Sequence, residues 1–246
     1  RVERTPCQVQ YRLPDREAGA ESQTKTPAPL EYQEERDTGT GYKKKTRLLI
    51  RLMSRRLLQE IQNRELAGME VWCLDEMRVG LRTDLGRVIT LAGVKPIGAH
   101  QHRFLYRYIY GAINVNTGDH EFIEAEACNG DFFQAFLWQI ARQQPMLLKV
   151  VVLDNAGFHR RKDLVVPPNI LLLFLPPYTP ELNPMERFWQ EIRRELKGQN
   201  FDTLDQLSEK IEQYICNLDR IAVCQTVGYP VYRTAIEVCQ DMACVI

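Results

Sequence analysis

Two short runs without a polar residue, Val150-Val151-Val152-Leu153 and Leu171-Leu172-Leu173-Phe174-Leu175, constrain the fold of this chain more than any other feature. They have the length of strands, and the lack of polar alternation means that both faces of each strand must be covered. Neither approaches the roughly 18 residues of a membrane span. The strands they define cover residues 146–153, ending in Asp154, and residues 169–175, closed by Pro176-Pro177.

The segments around them have a different texture. Residues 69–74 form a short apolar strand ending in Asp75-Glu76, residues 104–115 are rich in aromatic and β-branched side chains, and residues 120–127 alternate after a turn at Thr117-Gly118. Three consecutive strands with short connections predict an antiparallel meander. Residues 129–144 read as a helix with Phe132, Phe133, Phe136, Leu137 and Ile140 on one face, stopped by Pro145. A helix follows over 184–196, with Lys197-Gly198 as its end signal, and another over 203–218, opened by Thr203 with Gln206 three residues on. The order is β-β-β-α-β-(α)-β-α-α. It predicts an α/β fold: a mixed sheet, three antiparallel strands and then alternating strands and helices, flanked by helices on both faces. In such sheets chemistry gathers at strand ends.

Apolar residues make up 44% of the 246 positions, enough to bury a core without disulfides or a structural metal. Seven cysteines, an odd number with no C-x-x-C pair, exclude a disulfide framework and a thiolate zinc site, and fit a reducing, cytoplasmic setting. The first sixteen residues are polar and carry two prolines, unlike a signal peptide. Residues 14–41 hold five apolar side chains in 28, so residues 1–42 read as a linker-like or disordered segment. Residues 43–66 read as one basic amphipathic helix.

The net charge is zero, from 32 basic and 32 acidic residues, which at face value argues against a nucleic-acid partner. The sum hides an asymmetry. Lys43, Lys44, Lys45, Arg47, Arg51, Arg55, Arg56 and Arg64 face only Glu60 and Glu65, a local balance of +6. That helix is either a solvated element packed on the next domain or a phosphate-contacting segment.

Three acidic positions share a context. Asp75 and Asp154 end strands, and Glu186 lies in the first turn of a helix, in Asn183-Pro184-Met185-Glu186. Gathered at one point, carboxylates repel by about 1 kcal/mol per pair at 4 Å in water and more when partly buried, so their pKa values rise or a cation resolves the conflict. Hard oxygen donors without clustered cysteine or histidine select Mg²⁺ or Mn²⁺, and a pair of such ions suits phosphodiester chemistry. Each residue also has a plain explanation. Glu186 fits the third position of a helix capped by Asn183, Asp154-Asn155 fits an Asx turn, and Glu76 is as good a local candidate as Asp75. His159 reads first as an exposed helix-start histidine and second as a phosphate contact. Trp189 reads as core, and Arg187, Arg193 and Arg194 as surface charges beside Glu191 and Glu195.

Residues 153–159, Leu-Asp-Asn-Ala-Gly-Phe-His, and residues 175–189, Leu-Pro-Pro-Tyr-Thr-Pro-Glu-Leu-Asn-Pro-Met-Glu-Arg-Phe-Trp, closely resemble the DDE-type transposases of the mariner-like superfamily, on the side of bacterial insertion sequences. Leu74-Asp75-Glu76-Met77-Arg78 resembles that family's first catalytic segment. The likeness spans roughly residues 69–218. It implies a ribonuclease H-like catalytic domain, and Asp75, Asp154 and Glu186 as the metal-binding catalytic triad holding two Mg²⁺ or Mn²⁺ ions. Asn155, His159 and Asn183 would support them. It further implies water attack on a phosphodiester at an element end, strand transfer by the released 3′-hydroxyl, double-stranded DNA as partner, a homodimeric active complex, and a bacterial cytoplasmic, nucleoid-associated setting without a membrane.

The chain departs from this pattern in three places. Asp154 and Glu186 are separated by 31 residues, a few short of the family's usual spacing, and the shortening falls between Arg160 and Pro168. No helix-turn-helix is recognisable before residue 69. Residues 219–246 look like an atypical tail. A truncated or frame-disrupted remnant that only binds DNA is therefore the alternative to an active transposase, and another ribonuclease H-like nuclease is a third reading.

Overall fold

The computed structural model describes residues 68–82, 101–177, 179–230, 232–234 and the single positions 47, 51 and 237. The predicted linker over 1–42 and nearly all of the predicted basic helix lie outside them; Arg47 and Arg51 are helical and exposed.

Five strands form one sheet in the order β3-β2-β1-β4-β5: β1 (Gly68–Arg82), β2 (His102–Asn114), β3 (His120–Ala125), β4 (Leu147–Leu153) and β5 (Ile170–Phe174). β1 pairs antiparallel with β2 and β2 with β3, while β1–β4 and β4–β5 are parallel. The expected mixed sheet is therefore present, with the two all-apolar strands in its doubly covered parallel half.

Period-two alternation sends the strand side chains into two cores. Val71, Cys73, Val150 and Val152 face α2 (Met185–Leu196) and α3 (Leu204–Cys216), and Trp72, Leu74, Val151 and Leu153 face α1 (Gly130–Arg142). Asn129 caps α1 by accepting from the backbone N–H of Asp131 and Phe132. At the other end of α1 the ammonium of buried Lys149 donates to the carbonyls of Gln143 and Gln144, so a lysine in a central strand is satisfied by helix-end carbonyls. Thr203 caps α3 by accepting from Gln206 N, and the Gln206 side chain returns to Asp202 N at 2.9 Å, one residue before the cap.

Two boundaries differ from the sequence reading. β1 does not end at Asp75 but runs seven residues further, because β2 continues to pair with it after β4 has stopped. The packed unit does not stop at residue 218 either. A further helix, α4 (Arg220–Val227), places Val223 and Val227 in the core together with Tyr229 and Tyr232, and Tyr232 Oη donates to Leu182 O at 2.6 Å. Tyr232 thus ties to the turn that leads into α2. The described cysteines 73, 128, 216 and 224 are all free. No described helix is long and apolar enough to cross a membrane.

Candidate active site

The site forms where β1 loses a neighbour. β1 and β4 pair in register from Gly68↔Leu147 to Cys73↔Val152, so Asp75 and Asp154 each follow the last pair by two residues, and the charge of Asp154 acts on Asp75. Parallel strands end there on the β4 side while β1 goes on, leaving a notch at the carboxyl end of the sheet. Asp154 follows β4 directly, its side chain 57% exposed, and accepts from Ala156 N at 2.9 Å in the predicted Asx turn.

Asn183 brings in the third acid. Its side-chain oxygen accepts from Met185 N at 3.1 Å, capping α2, and its amide donates to Leu74 O at 3.0 Å. One buried side chain thus joins the helix carrying Glu186 to the strand carrying Asp75. Asn183 makes the contact expected of it at the start of α2, though from the residue before the cap position Pro184, and the tie to β1 is an addition that no local sequence signal carries. Asn155 makes a similar tie: its amide donates to Leu175 O, linking the loops after β4 and β5.

Trp189 touches the site as well as the core. Its indole N–H donates to Asp75 Oδ2 at 3.0 Å from a ring that is 1% exposed. The indole reaches Asp75 across Gly111, the residue paired with Asp75 on β2. A methyl group added there would lie 2.5 Å from Trp189 Cη2, 2.6 Å from Phe122 Cε1 and 2.9 Å from Met185 Cε. A glycine inside a strand is the sequence signal for such a close approach. Gly111→Ala is expected to destabilise by about 1–3 kcal/mol through overpacking, read as a lower urea midpoint; an unchanged midpoint would show that the indole is not pressed on this position.

His159 corrects the expectation of an exposed residue. It lies in a 3-10 turn, Gly157–Arg160, that stands where a full helix was possible, and it is 1% exposed. Phe158 and Phe133 pack on it with ring centroids at 4.2 and 4.4 Å. Nε2 is 3.0 Å from Glu76 Oε1, and Nδ1 is 2.9 Å from Asp154 Oδ1, close enough for an ion pair though not aligned as a linear hydrogen bond. Alternation separates the two adjacent acids of β1: Asp75 faces Trp189, whereas Glu76 faces His159 on the α1 side. The sequence left Asp75 and Glu76 as equal local candidates; their partners now distinguish them.

The electrostatics follow. Burial, then the neighbouring charges of Glu76, Glu186 and Asp154, push the Asp75 carboxyl up to about 7. Burial also raises Glu76, with His159 opposing it. Asp154 is held below its ordinary range, chiefly by the His159 ring. For His159, burial acts downward, but contacts with Asp154 and Glu76 outweigh it and raise the ring to about 9, so it is an imidazolium between two carboxylates. Among the described residues no three His, Cys, Asp or Glu side chains already form a closed ligating group. The negative charge acting on Asp75, from Glu76, Glu186 and Asp154, is the kind a divalent cation would offset.

A mixed five-stranded sheet of this order, flanked by helices, is the ribonuclease H-like fold of transposase catalytic domains. The fold matches a pre-cleavage Mos1 transpososome (TM-score 0.55, 13% identity, 85% of this chain and 67% of that one). It also matches the Mos1 transposase paired-end complex with the left transposon end (TM-score 0.53, 15% identity, 81% and 62%). An uncharacterized protein of Sinorhizobium fredii, y4pE/y4sA, is 39% identical over 90 residues, 36% of this chain and 67% of that protein. Residues 70–208 match the DDE superfamily endonuclease family. The chain belongs to that family. It spans 62% of the length of the Mos1 chain in the paired-end complex.

Proposed function

We propose that this chain is a transposase catalytic domain that cleaves DNA phosphodiester bonds at element ends and transfers the released 3′-hydroxyl to target DNA. The observation that supports the reading best is that the charges of Asp154 and Glu186 both act on buried Asp75, with the helix of Glu186 tied to the strand of Asp75 through Asn183. Asp75, Asp154 and Glu186 would hold two Mg²⁺ or Mn²⁺ ions, which when bound neutralise phosphate charge and ease deprotonation of the attacking group. The protein's own residues fix the geometry. Trp189 orients Asp75, His159 orients Asp154 and occupies Glu76, and Asn183 sets the approach of α2. No covalent enzyme intermediate is required, so positioning and charge stabilisation are the main tasks.

Double-stranded DNA is the substrate class, in keeping with the Mos1 paired-end and strand-transfer complexes that share the fold. A homodimer would pair two such sites on two element ends, and residues 43–56 would add basic contacts to the backbone.

The test is Mg²⁺- or Mn²⁺-dependent cleavage of element-end DNA by the full chain against Asp154→Ala. Metal-dependent cleavage by the wild type alone supports the reading. Equal cleavage by both proteins removes Asp154 from the mechanism, and DNA binding without cleavage by the wild type favours the inactive remnant.

A further inference from the structure

The run Arg160-Arg161-Lys162 follows His159 at the mouth of the notch, and its first two members are used differently. Arg161 is neutralised: Nη1 is 2.6 Å from Asp131 and Nε 2.7 Å from Asp163. Arg160 has no ion-pair partner among the described residues. It is nevertheless held. Nη2 donates to the side-chain oxygen of Asn155, whose amide is itself bound to Leu175 O, and the guanidinium lies over the Phe174 ring, 4.6 Å from its centroid.

These contacts place the charge closely. Phe174 pairs with Leu153, the residue before Asp154, and Asn155 is the residue after it. A cation is therefore fixed beside the most exposed acid of the candidate triad by an amide and a ring face, neither of which cancels its charge. The guanidinium has five N–H donors, and Asn155 takes one. A fixed, exposed, uncancelled fork of donors is the arrangement that suits a phosphate, which an arginine grips in two-pronged fashion. Fixing it in advance also lowers the side-chain entropy lost on binding.

We propose that Arg160 is a phosphate-binding residue of the site: it grips a backbone phosphate of the DNA strand whose neighbouring phosphodiester enters between Asp75 and Asp154. This rests on the phosphodiester reading above. Asn155 is a positioning residue for Arg160, which gives the Asn of the 153–159 motif a task besides turn formation.

The experiment measures binding of the full chain to a fluorescent duplex in Ca²⁺ by anisotropy, across a salt series, together with Mg²⁺-dependent cleavage. Arg160→Gln is expected to weaken binding about tenfold and to lower the slope of log K against log salt by about one phosphate's worth. A duplex carrying one uncharged methylphosphonate, moved along the strand, is expected to weaken the wild type at one position and to leave Arg160→Gln unaffected there. Asn155→Ala keeps the charge but frees it, so it should weaken binding with the salt slope retained. Circular-dichroism melts that coincide with the wild type show that neither change acts through folding; if Arg160→Gln does not fold, Arg160→Lys takes its place, expected to weaken binding with the slope retained. A wild-type slope and methylphosphonate profile in a folded Arg160→Gln protein overturns the proposal while wild-type cleavage leaves the phosphodiester reading standing. A wild type that neither binds nor cleaves DNA overturns both.

Discussion

The affinity of the chain for Mn²⁺ is expected to rise about tenfold per pH unit between pH 5 and 7 and to level off above about pH 8. In the metal-free protein the Asp75 carboxyl titrates near 7, because it is buried and because Glu76, Glu186 and Asp154 lie around it. A cation competes with that proton for the same oxygens. Below pH 7 the first ion bound must therefore expel that one proton, which gives one decade of affinity per pH unit. Asp154 adds nothing to this slope, since the His159 ring keeps it ionised at lower pH. Isothermal titration with Mn²⁺ in buffers of different ionisation enthalpy measures both the affinity and the proton count. Close to one proton released at pH 6 and few at pH 8.5 is the expected outcome. Asp75→Asn should weaken binding and abolish the pH dependence, and a wild-type affinity independent of pH would remove Asp75 from the metal site.

The largest stability effect is expected at His159. The His159 ring is buried against Glu76 and Asp154, and His159→Ala leaves the largely buried Glu76 carboxyl without its ion-pair partner. Removing one member of a buried ion pair costs about 3–5 kcal/mol, which for a domain of this size lowers Tm by roughly 10 °C. Glu76→Gln in the same chain should restore most of the loss, because the uncompensated charge is then gone. The pH dependence has a definite sign. The folded protein binds the His159 proton more tightly than the unfolded chain, so the stabilisation is complete below about 6.5 and disappears as pH rises through about 9. Asp75, with its raised carboxyl, also favours the folded state at lower pH, but its effect is exhausted by about pH 7. The fall in Tm between pH 7 and 8.5, below the range where the raised thiols of Cys73, Cys128 and Cys224 begin to contribute, therefore reports His159 and should be much smaller in His159→Ala. A Tm equal to that of the wild type, or no rescue by Glu76→Gln, would show that the ring is not the counter-charge described.

Much of this was legible from the chain itself, and the reason is periodicity. Val150–Leu153 and Leu171–Leu175 lie in the parallel strands that their composition demands, and the apolar stripe Phe133, Phe136, Leu137, Ile140 is the buried face of α1. The Thr203 cap and the Asn183 contact at the start of α2 were equally readable, since each acts within a few residues. What escaped local reading depends on partners far along the chain. Asp75 looked like a strand end because the apolar run stops there, whereas the strand continues on hydrogen bonds to β2 that composition does not reveal. His159 reads in sequence as a helix-start histidine, which is ordinarily exposed, yet it is covered by Phe133, 26 positions upstream, and paired with Glu76, 83 positions away. Trp189 looked like core, and is, but its one polar atom is directed to Asp75. The buried aromatic Tyr229 and Tyr232 show that residues past 218 belong to the fold, although the charge and composition there change.

The central claim is that Asp75, Asp154 and Glu186 bind divalent cations together. Anomalous scattering from crystals of the full chain soaked in Mn²⁺ tests it most directly. Anomalous peaks are expected between the carboxylates of Asp75, Asp154 and Glu186, with Glu76 still on His159. Peaks that engage Glu76 in place of Asp75, or Mn²⁺ bound elsewhere with these three carboxylates bare, would contradict it.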